Sequence, residues 1–469
     1  MTNHSTQVVI EVAELIKKAR AAQEIYNAYD QAAVDEVVTA VGWAVINDDN
    51  NQRLSEQAVA DTGLGNVKDK FVKNRRKTLG LLRDLASARS VGVIAEYPDK
   101  GLVEIARPVG VVAAIVPSTN PVATPANKTI NALKGRNAII LAPSPRGQNV
   151  CATLISMIHH ELERVGAPTD LVQKLPSPVN KAHTIELLHQ VDLIVATGSR
   201  NNVRAAYSSG TPAIGVGAGN VVSIVDETAD PIAAASRIVT SKSFDNATSC
   251  SSENNLIIIE PIYDAMMNAL AMEGSYLLDT AGKDALGKVL WHNGHLNPRL
   301  IAHSAEEIAL AVDLDVPADT RVLMVEELDY GPDHPFSGEK LSPVLTVYRA
   351  RDFEHAKTIA RGIMDYQGKG HSLGLHTRDE ARPLDLGLNL PVCRIIVNQI
   401  HSYATGGNFD NGLPFSLSMG CGSWGGNSIS DNMNYRHYLN TTRISRAIEP
   451  DEPMIPEIFS DYWNKYEIG

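Results

Sequence analysis

Residues 109–121 read VGVVAAIVPSTNP, and this stretch decides the fold. Val109 to Val116 is apolar almost without a break, and the polar, proline-flanked run Pro117-Ser-Thr-Asn-Pro121 ends it at once. A strand without polar side chains is covered on both faces, which is the habit of parallel sheets. The residues that follow repeat the unit. Helical spacing appears near Pro125–Leu133, an apolar strand at Ala138–Ala142 and an amphipathic helix over Gln148–Val165. A short strand at Val172–Leu175, a helix at Ala182–Gln190, a strand at Asp192–Ala196 and a short helix at Asn201–Tyr207 extend the series. Strands alternating with helices predict an α/β fold built on a parallel sheet.

Toward the N-terminus the texture is helical. Val9, Val12, Ala13 and Ile16 share one face, and further helical patterning covers Asp35–Ile46, Arg53–Asp61 and Lys68–Leu85. Val93–Tyr97 and Leu102–Ala106 are expected to pair around the turn Pro98-Asp-Lys-Gly101. Toward the C-terminus a second αβ series occupies about 222–400, with helices near Pro231–Thr240, Ala265–Glu273 and Phe353–Met364. Residues 402–430 are dense in Gly, Asn and Ser, but Phe409, Phe415 and Trp424 interrupt them, so ordered loops are expected. Tyr435–Arg446 is β-prone and suits an edge strand that pairs with a neighbouring subunit.

The chain has 469 residues, 44% of them hydrophobic and 20% charged, which is enough for several cores. Its net charge is −12, with acids scattered and no concentrated basic patch, so nucleic acid is not an expected partner. The apolar runs are too short to span a bilayer, and no charged-then-apolar leader opens the chain. A cytoplasmic protein with no membrane partner is the expectation. The four cysteines form neither a disulfide framework nor a paired metal motif, and no metal is expected.

Among those cysteines, Cys151 and Cys393 sit in apolar runs and read as core. Cys250 lies in Asp245-Asn-Ala-Thr-Ser-Cys-Ser-Ser-Glu253, directly before an apolar strand, where a thiol can meet substrate on one side. Cys421, in Met-Gly-Cys-Gly-Ser-Trp, is the rival nucleophile. Thr197-Gly198-Ser199 follows a strand and opens a helix, so its free N–H groups suit a pyrophosphate. No GxGxxG fingerprint follows the first strand.

Four motifs in order resemble the aldehyde dehydrogenase superfamily, and most closely its CoA-acylating branch. They are Pro117-Ser-Thr-Asn-Pro121, the stretch Ala205–Asn220 with its Gly-Val-Gly-Ala-Gly run, Phe244–Glu253 around Cys250, and Gly420–Ser430. The resemblance implies two Rossmann-like parallel-sheet domains plus a small β flap. The dinucleotide domain would cover 1–93 and 107–221, the catalytic domain 222–400, and returning loops 401–434. The flap and tail would take 94–106 and 435–469, giving a homodimer or homotetramer.

The resemblance also implies roles. Cys250 would attack an aldehyde, and Asn120, with the Cys250 N–H, would hold the oxyanion. Ser118, Thr119, Pro143, Ser144, Arg146, Thr197, Gly198, Ser199, Gly215, Gly217 and Glu339 would hold NADP or NAD. His371 would either assist the CoA thiol or order a loop. Hydrolytic relatives carry a glutamate at the position of Gly215, and glycine cannot take a proton from water. Loss of that base implies release of the acyl group to coenzyme A. Arg75 and Arg76, with His401, Ser402 and Tyr403, would approach an anionic tail, sulfoacetaldehyde first and succinate semialdehyde second. No acid follows the strand Ala138–Ala142, and Arg146 could accept a 2′-phosphate, which favours NADP. The alternative of another class is a non-catalytic microcompartment cargo whose N-terminal helix acts as an address. That helix runs into the next without a flexible linker, as a built-in element would.

Overall fold

The computed structural model describes residues 2–217 and 219–467. Four helices open it: α1 (Thr2–Tyr26), α2 (Gln31–Ile46), α3 (Asp48–Thr62) and α4 (Val67–Leu85). Asp30, Asn47 and Asn66 begin the last three, each side chain accepting a bond from a first-turn N–H. Val12, Ile16, Ala19 and Tyr26 of α1 are buried in the first core, and the Tyr26 hydroxyl donates to the Leu133 carbonyl. The N-terminal helix is therefore a structural member of the fold.

The strands β1 (Gly92–Tyr97) and β2 (Leu102–Pro108) form the expected antiparallel pair. Next come β3 (Val111–Val116), α5 (Ala123–Lys134), β4 (Ala138–Pro143), α6 (Gln148–Arg164) and β5 (Val172–Lys174). The series continues with α7 (Lys181–Gln190), β6 (Leu193–Thr197), α8 (Arg200–Tyr207) and β7 (Ala213–Val216). These strands make a parallel sheet in the order β5-β4-β3-β6-β7. Every residue of β3 and β4 is buried, as their apolar runs require. The chain leaves β3 in one direction and returns to its other side at β6. A crevice opens where strand order reverses, and ligands of such sheets bind there.

The second sheet is also parallel, with seven strands. Its order is Ser275–Leu277, Val322–Glu326, Val344–Ala350, β9 (Glu253–Ile259), β8 (Val221–Val225), Leu373–His376 and Ile395–Val397. Helix α9 (Pro231–Ser243) connects its two central strands. Apolar side chains fill both faces, Val222 and Ile224 on one and Val225 and Leu256 on the other.

The strand expected near Tyr435–Arg446 is Leu439–Ser445, and its partner lies within the same chain. It pairs antiparallel with β2 from Leu439↔Pro108 to Ser445↔Leu102, making the order β1-β2-(Leu439–Ser445). The β2 backbone needs that edge, because a two-stranded ribbon alone is only marginally stable. Beyond it the helix Ile455–Tyr466 leaves Ile455, Ile458, Phe459 and Tyr462 exposed. Among the described residues, no helix is long and apolar enough to cross a membrane.

Candidate active site

Helix α9 ends at Ser243, and the chain then makes a turn few L-residues adopt. Asp245, Asn246 and Ala247 have φ of 49°, 50° and 59°. This left-handed run delivers Thr248, Ser249 and Cys250 to the edge of the crevice before β9 begins. Across from them stand the loop after β3, the end of β4 and the turn between β6 and α8. Together they enclose a cleft of about 530 Å³. Ser118, Thr119, Asn120, Pro143, Ser144, Thr197, Gly198, Ser199, Gly217, Cys250 and Glu339 all line it.

The nucleophile and the amide are oriented by their surroundings. The Lys73 ammonium donates to Asn120 Oδ1 at 2.8 Å, which leaves the amide N–H₂ as the end free to donate. The Cys250 N–H lies against its own sulfur. Close approach behind the thiol depends on Gly219, where a Cβ would stand 2.0 Å from the Cys250 carbonyl oxygen. Burial, and then the nearby Glu339 carboxyl, push the Cys250 thiol up to about 12. The resting sulfur is thus protonated. Cys421 is buried, 2% exposed, and lines a different hollow, beside Trp424 and Gly217. Cys250 is the cysteine that shares a cleft with the Asn120 amide.

Two glycines open the dinucleotide side. Among the described residues beyond its chain neighbours, none has an atom within 4 Å of where a Gly217 Cβ would be, and Gly198 has φ 141° with only Pro117 and Asn202 side-chain atoms near that position. Ser199 caps α8 by accepting from the Asn202 N–H. Open backbone beside a helix N-terminus suits a pyrophosphate. Glu339 accepts the Gly219 N–H, and burial raises its carboxyl to about 8. The folded chain therefore favours the neutral acid. That preference stabilises fully below the ordinary carboxylate range and is lost as pH climbs through about 8. Glu339→Gln should gain stability relative to the parent between pH 6 and 9, by about 1 kcal/mol or more. Urea midpoints at the two pH values check it, and a pH-independent difference would place the ionised carboxylate in the fold.

Other expected residues lie elsewhere. Gly215 sits inside β7, where its N–H and carbonyl both bond the Tyr207 hydroxyl, at 3.0 and 3.1 Å. A Cβ there would strike Val203 Cγ1 at 2.6 Å, so this position faces α8 and not the cleft. His371 is wholly buried, with Nδ1 against Ser372 Oγ at 2.8 Å and Nε2 without a partner. Burial lowers its pKa to about 3, so the ring is neutral, and it does not line the cleft. Its surroundings provide loop order and not access to a thiol. Arg146 is exposed on the turn just beyond β4.

The expected anion residues divide. Arg75 points outward and pairs with Asp48 at 3.3 Å, so it cannot face substrate. Arg76, one residue and about 100° further round the helix, stacks its guanidinium 3.9 Å over the Tyr403 ring and bonds Asn408. Tyr403 in turn meets Phe244 edge-on. His401 and Ser402 brace the nucleophile loop: His401 Nδ1 lies 2.9 Å from the Ser251 carbonyl, and the Ser402 N–H donates to Ser241 Oγ. Lys70, Lys73, Lys77 and Asp245 were not singled out from the sequence as a group. Their one signal is that the lysines fall on one face of α4 at spacings of three and four.

A thiol and an amide thus share one cleft with open backbone at a helix N-terminus. The chain belongs to the aldehyde dehydrogenase family, whose sequence model matches residues 3–282. It is 55% identical to a sulfoacetaldehyde dehydrogenase (acylating) of Cupriavidus necator, over 96% of this chain and 92% of that one. The fold matches an acetylating aldehyde dehydrogenase of Geobacillus thermoglucosidasius at 34% identity and TM-score 0.92, covering 97% and 100% of the two chains. It also matches a Rhodopseudomonas palustris propionaldehyde dehydrogenase holding CoA and an acylated cysteine, at 25% identity and TM-score 0.84, over 93% and 97%.

Proposed function

We propose that this chain oxidises sulfoacetaldehyde to sulfoacetyl-CoA, using coenzyme A and NADP⁺ in preference to NAD⁺, in a cytoplasmic homo-oligomer. The observation that carries the chemistry is the pairing of Cys250 with a pre-oriented Asn120 amide in one cleft. The 55% identity to an acylating sulfoacetaldehyde dehydrogenase supports the substrate.

Cys250 adds its sulfur to the aldehyde carbon as its thiol proton passes to solvent water, and the carbonyl oxygen gains the negative charge. Asn120 donates to that oxygen where charge develops. The dinucleotide, when bound along Thr197–Ser199 and Glu339, supplies the acceptor for the hydride that converts the adduct to a thioester. Gly198 and Gly217 fit it by leaving backbone exposed, and the stretch Ala142-Pro-Ser-Pro-Arg146 after β4 carries no acid to repel a 2′-phosphate. Coenzyme A then attacks the thioester carbonyl, and Cys250 departs as thiolate. Among the described residues lining the cleft, Glu339 is the one acid, and it is held neutral and bonded to Gly219. No carboxylate is set to activate water, whereas a CoA thiol needs less help.

Recording NADPH formation with and without coenzyme A tests this. Sustained turnover should require coenzyme A, and sulfoacetaldehyde should surpass acetaldehyde and succinate semialdehyde in kcat/KM. A steady CoA-independent rate would mean hydrolysis and overturn the reading. Arg76→Ala should lower kcat/KM for sulfoacetaldehyde about tenfold more than for acetaldehyde, from one lost charge-assisted contact. Equal losses for the two aldehydes would confine Arg76 to its stack on Tyr403.

A further inference from the structure

Beneath the cleft lies an ionic cluster that the acyl-transfer chemistry does not itself use. The Asp245 carboxylate is fully buried and receives four donors. Oδ1 accepts the Asn66 N–H at 2.9 Å, while Oδ2 accepts Lys73 at 2.5 Å, Thr248 Oγ1 at 2.7 Å and Lys70 at 3.1 Å. The Asp245 N–H donates to Asp69 Oδ2 at 2.7 Å. These bonds hold the left-handed run 245–247 in place. Lys73 spends its other two donors on Thr248 Oγ1 at 2.9 Å and on Asn120 Oδ1.

A primary amide can turn over and present either end. Oxygen toward an incoming oxyanion would repel it, and N–H₂ would stabilise it. An ammonium has only donors, so it bonds the oxygen end alone. We infer that Lys73, locked by Asp245, is the positioning residue of the oxyanion site: it pins Asn120 Oδ1 and thereby aims the amide N–H₂ at the reacting carbonyl. The same ammonium holds Thr248, two residues before Cys250. One cation therefore sets the donor, from the first sheet, in register with the nucleophile, from the second. This assignment rests on the reaction proposed above.

The experiment is a double-mutant cycle with Lys73→Met and Asn120→Ala, reading kcat, aldehyde KM and NADPH affinity. Lys73→Met should lower kcat about thirtyfold, within the range for a misplaced catalytic group, with KM and NADPH affinity changed less than threefold. In the Asn120→Ala background the same change should cost less than threefold, because no amide remains to aim. Lys70→Met, which removes bonds to Asp245 and to the Thr119 carbonyl but none to the Asn120 side chain, should cost less than a fifth of the Lys73→Met effect. Should Lys73→Met fail to fold, Lys73→Met with Asp245→Asn removes both charges and should show the same kcat loss. Additive losses in the cycle, or equal effects of Lys70→Met and Lys73→Met, would overturn the assignment and leave a purely structural cluster. An Asn120→Ala enzyme with undiminished kcat would instead sink the oxyanion role on which it rests.

Discussion

Replacing Cys250 by alanine is expected to abolish acyl-CoA formation, by a factor on the order of 10⁴ or more, since the covalent path disappears with its sulfur. The dinucleotide cradle should survive, because Thr197–Ser199, Pro143 and Gly217 belong to the first sheet and its loops. NADPH affinity should therefore change less than threefold, as intrinsic fluorescence or calorimetry would record. Alanine keeps the backbone and Cβ of residue 250, so its fit beside Gly219 should persist. Cys421→Ala is the matched control, and its buried thiol, pushed up to about 11 by its surroundings, should be dispensable. An active Cys250→Ala enzyme beside an inactive Cys421→Ala enzyme would reverse the assignment of the nucleophile.

Asn120→Ala carries the second largest effect, a fall in kcat of about a hundred- to a thousandfold. The amide meets the oxygen most strongly once charge has developed there, so KM for aldehyde and coenzyme A should move little. Asn120→Asp sharpens the test. Aspartate keeps an oxygen for Lys73 but offers no donor and sets a carboxylate against the oxyanion. It should be at least as damaging as alanine while retaining the parent's melting temperature more fully. An Asp variant near parental activity would mean that the oxyanion is held by other groups.

The fold was legible where burial writes itself into one dimension. β3 and β4 carry apolar runs because both faces are covered, and helices between such runs leave few topologies. The cleft was legible where family motifs mark loops, which is how Asn120, Thr197 and Cys250 came together. Direction was not. A motif assigns Gly215 a position, but only the register of β7 shows that its side chain would face Val203. Arg75 and Arg76 are indistinguishable in sequence, and one residue's step of about 100° round α4 separates an outward ion pair from a stack on Tyr403. The pairing of Lys70 and Lys73 left no local mark, because the acid they share lies 175 and 172 positions away.

The flap has a consequence for how the chain is made. Its third strand joins β2 across a separation such as the 339 positions between Glu104 and Arg443. During synthesis β1 and β2 emerge with the outer edge of β2 bare until a strand some 339 positions later has left the ribosome. Both large sheets can form in that interval, so the ribbon closes last over a finished body. Each shortened chain released before Leu439 carries that bare edge, open to pairing with any extended segment it meets. Translation that stalls before Leu439 therefore leaves this protein with a bare strand edge that its two large sheets do not share.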